Sequence, residues 1–291
     1  MTKGLSIITL NRTTVYVSKL GSDSYPGTIE YPKLTVQAGI DRANLIDIGT
    51  IKIAQGTYSE NLNINSFLIT SSGTLDIYGG FSDNFSLNNS GQYTRTNNWN
   101  ITLYETIITS NSGNTIYAHN INTSSKTINF YRFTILSGGS LDDDRPIYCF
   151  NNIADLYLKF TNCIISNLSK NNKLSIWNNK SYLMLGECQI YGNISSVGDV
   201  TYNGYCSIEF SNINCSSTSA AISFSYQNNA YVNHNYIYSL NYDCIRFGVG
   251  GSQLINYSKI YNNFIITKSV SSAAIIINCN IGYYIKILAL F

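Results

Sequence analysis

The sequence predicts an all-β protein wound as a parallel β-helix, a solenoid of short stacked strands with a short capping helix at its N-terminal end. Three observations carry the prediction. Charged residues are 12% of the 291, about half the share of ordinary soluble domains, while hydrophobic residues stay at 44%, enough to bury a core. Asn, Ser, Thr and 24 Tyr fill the gap, with only 3 Pro. Asn and Ser disfavour helix interiors, whereas Ile, Thr and Tyr suit strands. The third observation is a repeat in the second half of the chain.

That repeat is anchored on Asn162, Cys188, Asn212, Asn235 and Ser258, in steps of 26, 24, 23 and 23 residues. Two positions past each anchor stand Ile164, Ile190, Asn214, Ile237 and Ile260, an inward column. Ile213 beside Asn214 predicts a one-residue slip or bulge at that rung. Three positions past the anchor, Ile165, Tyr191, Cys215, Tyr238 and Tyr261 point the other way, because strand side chains alternate. Five past it, Asn167, Asn193, Ser217, Leu240 and Asn263 suit a turn, where Asn tolerates left-handed backbone and bonds its stacked neighbours. Helical-pair solenoids need units of about 33–47 residues and helix periodicity, and leucine-rich repeats need a consensus absent here.

The first half gives its elements in order. Val15-Tyr16-Val17-Ser18 reads as a strand, and residues 21–28 as a turn-rich loop. Residues 34–43 form the one helix-like stretch, despite Gly39. Residues 50–54 and 62–64 read as strands joined through Gln55-Gly56-Thr57-Tyr58, and Leu75-Asp76-Ile77-Tyr78 leads into Gly79-Gly80-Phe81. The expected organisation is one domain over 1–291, with a strand and cap in 1–48 and rungs in 49–291. The apolar run from Ile281 to Phe291 offers no polar cap. It either plugs the coil, marks a truncated end, or is covered in an oligomer.

Several of these segments resemble the pectate-lyase-like right-handed parallel β-helix superfamily. Tyr16-Val17-Ser18, Gly21-Ser22-Asp23, Thr35 to Asp41, and Ile51 to Tyr58 with Glu60-Asn61 are similar to its entry, where a helix caps the coil and "GTY" marks the first rung. Gly79-Gly80-Phe81, Arg95, Trp99 and Thr106-Ile107-Ile108 are similar to a stretch of bacterial surface and adhesin-type β-helix proteins. Arg132 to Gly139 is similar to their "GFTIxGG" rung, with Arg132 where Gly is usual and no Pro before Thr106. The resemblance implies right-handed winding and a place outside the cell or on its surface. It leaves activity open, since the scaffold hosts lyases, hydrolases, adhesins and tailspikes.

Charge and patterning narrow the function. A net charge of +2 gives no concentrated positive field for nucleic acid or an anionic membrane. No apolar run approaches the roughly 18–20 residues of a spanning helix. The start, Met1 to Leu10, lacks a signal-peptide core, so no leader is expected. The seven cysteines are odd in number, without CxxC, and read as buried thiols.

Enzymes of the superfamily, as the resemblance implies, use clustered carboxylates with Lys or Arg nearby. Glu187 and Glu209 lie two positions apart on adjacent rungs, and Lys159 shares the Glu209 column two rungs away; these are the catalytic candidates. Asp142, Asp143 and Asp144 form the densest acidic cluster and are the metal candidates, with calcium the one cofactor considered. The ligand-binding candidates are Tyr191, Tyr238 and Tyr261, whose rings offer flat apolar faces with a polar tip, as extended sugars require. The leading expectation is therefore a non-catalytic recognition module for neutral glycans. A polysaccharide lyase or hydrolase and a phage tailspike-type protein are the alternatives, the chain acting as part of a longer protein or as a homo-oligomer.

Overall fold

The computed structural model describes residues 13–64, 73–83, 85, 105–119, 125–137, 144–150, 156–167, 174–197, 205–216, 219–225, 229–247, 254–255, 258–268, 275–277, 280–281 and 285–289. Among them the chain is almost wholly β, in long stacked parallel sheets with one short helix. Each turn of the chain lays one strand in each of three sheets and then returns to the first, an arrangement compatible with a parallel β-helix. Turn 1 is Thr50–Ala54, Gly56–Ser59 and Leu62–Ile64. Turns 2 to 4 begin at Thr74–Phe81, Lys126–Tyr131 and Leu156–Thr161. Turn 5 is Tyr182–Gly186, Gln189–Tyr191 and Asn193–Val197, and turn 6 is Tyr205–Glu209, Asn212–Cys215 and Ile222–Ser225. Turn 7 is Asn229–Asn233, Tyr236–Ser239 and Ile245–Phe247. In turn 8 the strand Ser258–Thr267 runs through the corner and serves both the first and second sheets, with Ile275–Ile277 in the third. Val15–Val17 and Ile285–Ala289 add one strand each at the two ends of the first sheet.

Strand alternation puts one apolar column from each sheet into the coil. In the second sheet it runs Tyr58, Ile108, Ile135, Ile165, Ile190, Ile213, Ile237, Ile265. The third sheet matches it with Leu62, Ile116, Ile147, Ile176, Ile194, Ile222, Ile245 and Ile275. The first sheet contributes Ile51, Ile77, Phe130, Phe160, Leu185, Ile208, Val232 and Ile260, with Phe130 and Phe160 stacked at 5.1 Å. These columns form one continuous core. The expected isoleucine column is therefore real, but three of its members differ. Ile165, Ile213 and Ile265 stand where Ile164, Asn214 and Ile260 were placed, because the anchors at 162, 212 and 258 were out of step with the corner.

The corner between the first and second sheets is two residues long, and its geometry is fixed. Arg132, Asn162, Glu187, Phe210, His234 and Asn262 all adopt left-handed backbone, with φ between 50° and 64°. Arg132 can therefore replace a glycine, since this corner carries a side-chain-bearing residue in six successive turns. The next residue in each turn is Phe133, Cys163, Cys188, Ser211, Asn235 or Asn263, and the carbonyls of the first five each accept a backbone N–H from the following turn. Ser211 Oγ accepts from Cys188 N (3.1 Å), Asn235 Oδ1 from Ser211 N (2.8 Å), and Asn263 Oδ1 from Asn235 N (2.9 Å). The Asn stack is thus Asn235 on Asn263, and not the predicted column through Asn167 and Asn193.

The helix, Val36–Leu45, closes the first turns by burying Val36, Gly39, Ile40 and Ala43. Thr35 Oγ1 accepts from Ala38 N at 3.2 Å, a standard N-cap. Glu60 reaches across from turn 1, its two carboxylate oxygens accepting from Val36 N (2.9 Å) and Gln37 N (3.0 Å). A Cβ on Gly39 would lie 2.5 Å from Val17 Cγ2, so helix propensity yields to close packing there. The turns are not uniform in length. Asp76 pairs with Asn129, 53 residues on, whereas Met184 pairs with Ser207, 23 residues on.

Candidate functional site

Tyrosine is abundant on every outer face, and what surrounds each ring decides which rings are available. On the first sheet, Tyr78 stacks on Tyr131 (4.6 Å, 9°) and Tyr157 on Tyr182 (4.3 Å, 23°), with Tyr205 following at 6.0 Å. These rings cover one another's faces and present edges to solvent. On the third sheet, Tyr117, Tyr148 and Trp177 meet edge to face, and the Arg145 guanidinium sits 4.6 Å from the Trp177 ring. Sequence alone missed both ladders, although Tyr157, Tyr182 and Tyr205 recur at spacings of 25 and 23.

The second sheet differs. Its outer face in turns 5 to 8 carries two columns, Gln189, Asn212, Tyr236, Phe264 and Tyr191, Asn214, Tyr238, Ile266. None of the eight is charged. Tyr191 is 47% exposed and lies between Ser166 and Asn214, so no ring stacks on it within its column. Its hydroxyl donates to Gln189 Oε1 at 3.4 Å. Tyr238 lies between Asn214 and Ile266, with Lys268 Nζ 5.9 Å from its ring. Asn212 and Asn214 are exposed, and Tyr236 and Phe264 form an exposed stacked pair at 5.4 Å. Along the adjoining corner, Phe210 is exposed and stacks flat on His234 at 5.0 Å. Asn262 Nδ2 and His234 Nε2 are 3.3 Å apart there. The eight column residues combine flat rings and amides, with the Lys268 ammonium beside Tyr238.

Tyr191 and Tyr238 therefore share one outward column, as expected, two turns apart. Tyr261 does not belong to it. It belongs to a first-sheet column that runs Glu209, Asn233, Tyr261, Leu288, and its hydroxyl meets that of Tyr231. The correction follows from Ser258–Thr267 passing unbroken through the corner, which moved the true second-sheet position to Ile266.

Of the catalytic candidates, Glu187 and Glu209 are backbone neighbours on adjacent turns, whereas Lys159 lies apart from them on the first sheet. Glu187 occupies the left-handed corner, its N–H donating to Glu209 O at 3.0 Å. Glu209 ends a first-sheet strand, where Oε1 accepts from Ser207 Oγ at 2.9 Å. Lys159 pairs through Met184 to Ser207, so its column stops two residues short of Glu209, contrary to the shared column expected. Asp144 is buried, its Oδ1 accepting from Gly113 N at 2.6 Å, while Asp142 and Asp143 lie outside the described residues. Among the described residues no three His, Cys, Asp or Glu side chains converge as metal ligands. Six cysteines, Cys149, Cys163, Cys188, Cys206, Cys215 and Cys244, are free and buried.

Compared with family models, with characterised proteins and with solved structures, the chain finds no match in any of the three. What the geometry defines is an all-β protein of stacked parallel sheets carrying an outward strip of aromatic and amide residues. No helix among the described residues is long and apolar enough to cross a membrane.

Proposed function

We propose that this chain is a right-handed, pectate-lyase-like β-helix acting as a non-catalytic recognition module for neutral glycans, outside the cell or at its surface. Right-handed winding is supported by the near-universal hand of parallel crossovers and by the entry motif. In that motif, Gly56 takes a φ of 133° and the buried Tyr58 donates to Ala54 O at 3.0 Å. The observation that carries the binding reading is Tyr191 and Tyr238 in one outward column, with the exposed Asn214 between them and no ring stacked on either within the column. A ring offers a flat apolar face to the C–H side of a sugar, and the amides of Asn214 between the rings and of Gln189 and Asn212 in the neighbouring column satisfy its hydroxyls. The eight outward residues of the strip carry no formal charge, which suits a neutral ligand, and Lys268 beside Tyr238 supplies further N–H donors at its edge.

The test is an array of immobilised glycans, read beside an assay for released reducing ends and unsaturated products from the same polysaccharides. Binding without release is expected, and Tyr191→Ala should weaken it about two- to tenfold, the worth of one aromatic contact. Release of sugar ends by the purified chain would overturn the reading in favour of an enzyme.

A further inference from the structure

The strip has a periodicity of its own. Along the coil axis the outer column reads Tyr191, Asn214, Tyr238, so an aromatic ring recurs every second turn with an amide between. Adjacent turns lie about 4.8 Å apart, which puts the two tyrosines roughly 10 Å apart. A pyranose unit in an extended chain advances by about the same length as one turn. In a β-1,4-linked chain of equatorial sugars, each unit is rotated about half a revolution from the last, so units i and i+2 present the same face to the same side.

Direction follows from the shape of the strip. Across the strands it is only two columns wide, roughly 7 Å at two residues of rise, and it ends at the corner carrying Phe210 and His234. Along the axis it continues through four turns, to Phe264 and Ile266. Below turn 5 the same columns hold Thr134 and Leu136, then Ile164 and Ser166, with neither ring nor amide. The alternation of ring and amide therefore belongs to turns 5 to 7, and Ile266 ends it in turn 8.

Resting on the glycan-binding reading, we infer that the ligand is an unbranched, uncharged β-1,4-linked glycan lying parallel to the coil axis, one sugar per turn. One unit stacks on Tyr191, the next bonds Asn214, and the third stacks on Tyr238. The neighbouring column supplies Gln189 and Asn212 as further hydrogen-bonding groups to the same units. The exposed Tyr236 and Phe264 pair marks the far end of the strip.

The experiment is a calorimetric titration of the intact chain with gluco-, xylo- and manno-oligosaccharides of the β-1,4 series, two to six units long. A disaccharide reaches one tyrosine and a trisaccharide reaches both. Affinity in at least one series should rise about two- to tenfold from two units to three, one ring contact, and level off beyond four. Tyr191→Ala and Tyr238→Ala should each erase that step, whereas Tyr182→Ala, in the self-stacked ladder of the first sheet, should leave it in place. Equal affinity for all lengths, or a step that survives both strip variants with unchanged circular dichroism, overturns the axial placement. Binding of other glycans on the array without any of these three series also overturns it, yet leaves the recognition reading standing. No glycan binding at all overturns both. The length series on the unmodified chain is decisive even if a variant fails to fold.

Discussion

Single residues inside the coil set how the protein should respond to alkali. Burial pushes the thiols of Cys149 and Cys206 up to about 12, against partial relief from hydrogen bonds to Ser181 and Ser196. Burial likewise raises Cys244 to about 12. An ordinary thiol titrates near 8.5. Below that value folded and unfolded chains both hold these protons, and the stabilisation is fully present. As pH rises from there towards 12, the unfolded chain sheds protons that the folded chain keeps, so stability falls. The loss is on the order of 1 kcal/mol per thiol per pH unit. The melting temperature should drop between pH 8.5 and 10.5, and Cys149→Ala with Cys206→Ala should flatten that limb. A limb equally steep in the double variant would show that these thiols do not control it. Free cysteines were readable as buried from their number and spacing. Their places in the coil were not, since Cys163 and Cys188 do in their turns what Ser211 and Asn235 do in theirs.

At the scale of elements, the cap depends on a contact between segments far apart in sequence. Glu60 places two charge-assisted acceptors on the first N–H groups of the helix, which have no partner within it. Glu60→Ala should cost roughly 1–3 kcal/mol, read as a lower urea midpoint with unchanged slope. Gly39→Ala should destabilise as well, although alanine is the better helix former, because its Cβ would press on Val17 Cγ2. An unchanged midpoint in Glu60→Ala would mean that Thr35 alone holds the helix start. The helix and the short strands were legible because their hydrophobic periods differ. The register was legible within about a residue in turns 4 to 7 and was five residues out in turn 8, where Ile265 holds the place given to Ile260. The corner that sets it is a backbone conformation shared by Arg, Asn, Glu, Phe and His, and no residue type announces it. The same blindness put Tyr261 in the binding column and Lys159 in line with Glu209.

For the whole molecule, a coil of stacked turns makes a claim about length that few folds make. Each turn contacts mainly the turns above and below it, so removing one complete turn should bring its two neighbours into the register they already use. Deleting residues 184–206 removes 23 residues and joins Leu183 to Ser207. Ser207 is the partner of Met184, which itself pairs with Lys159, so the first sheet closes without a shift. Asn212–Cys215 then stacks on Ile164–Asn167, and Ser211 takes the ladder position above Cys163 that Cys188 held. The deleted chain should keep its far-ultraviolet spectrum and a cooperative melt, whereas deleting 184–195, about half a turn, should abolish both by reversing which strands meet. Failure of the full-turn deletion with survival of the half-turn one would refute the stacked-turn architecture. The same deletion removes Tyr191 while keeping Asn214 and Tyr238. A chain that still folds should bind glycans with no gain from two units to three, tying the number of turns to the length of ligand the strip can hold.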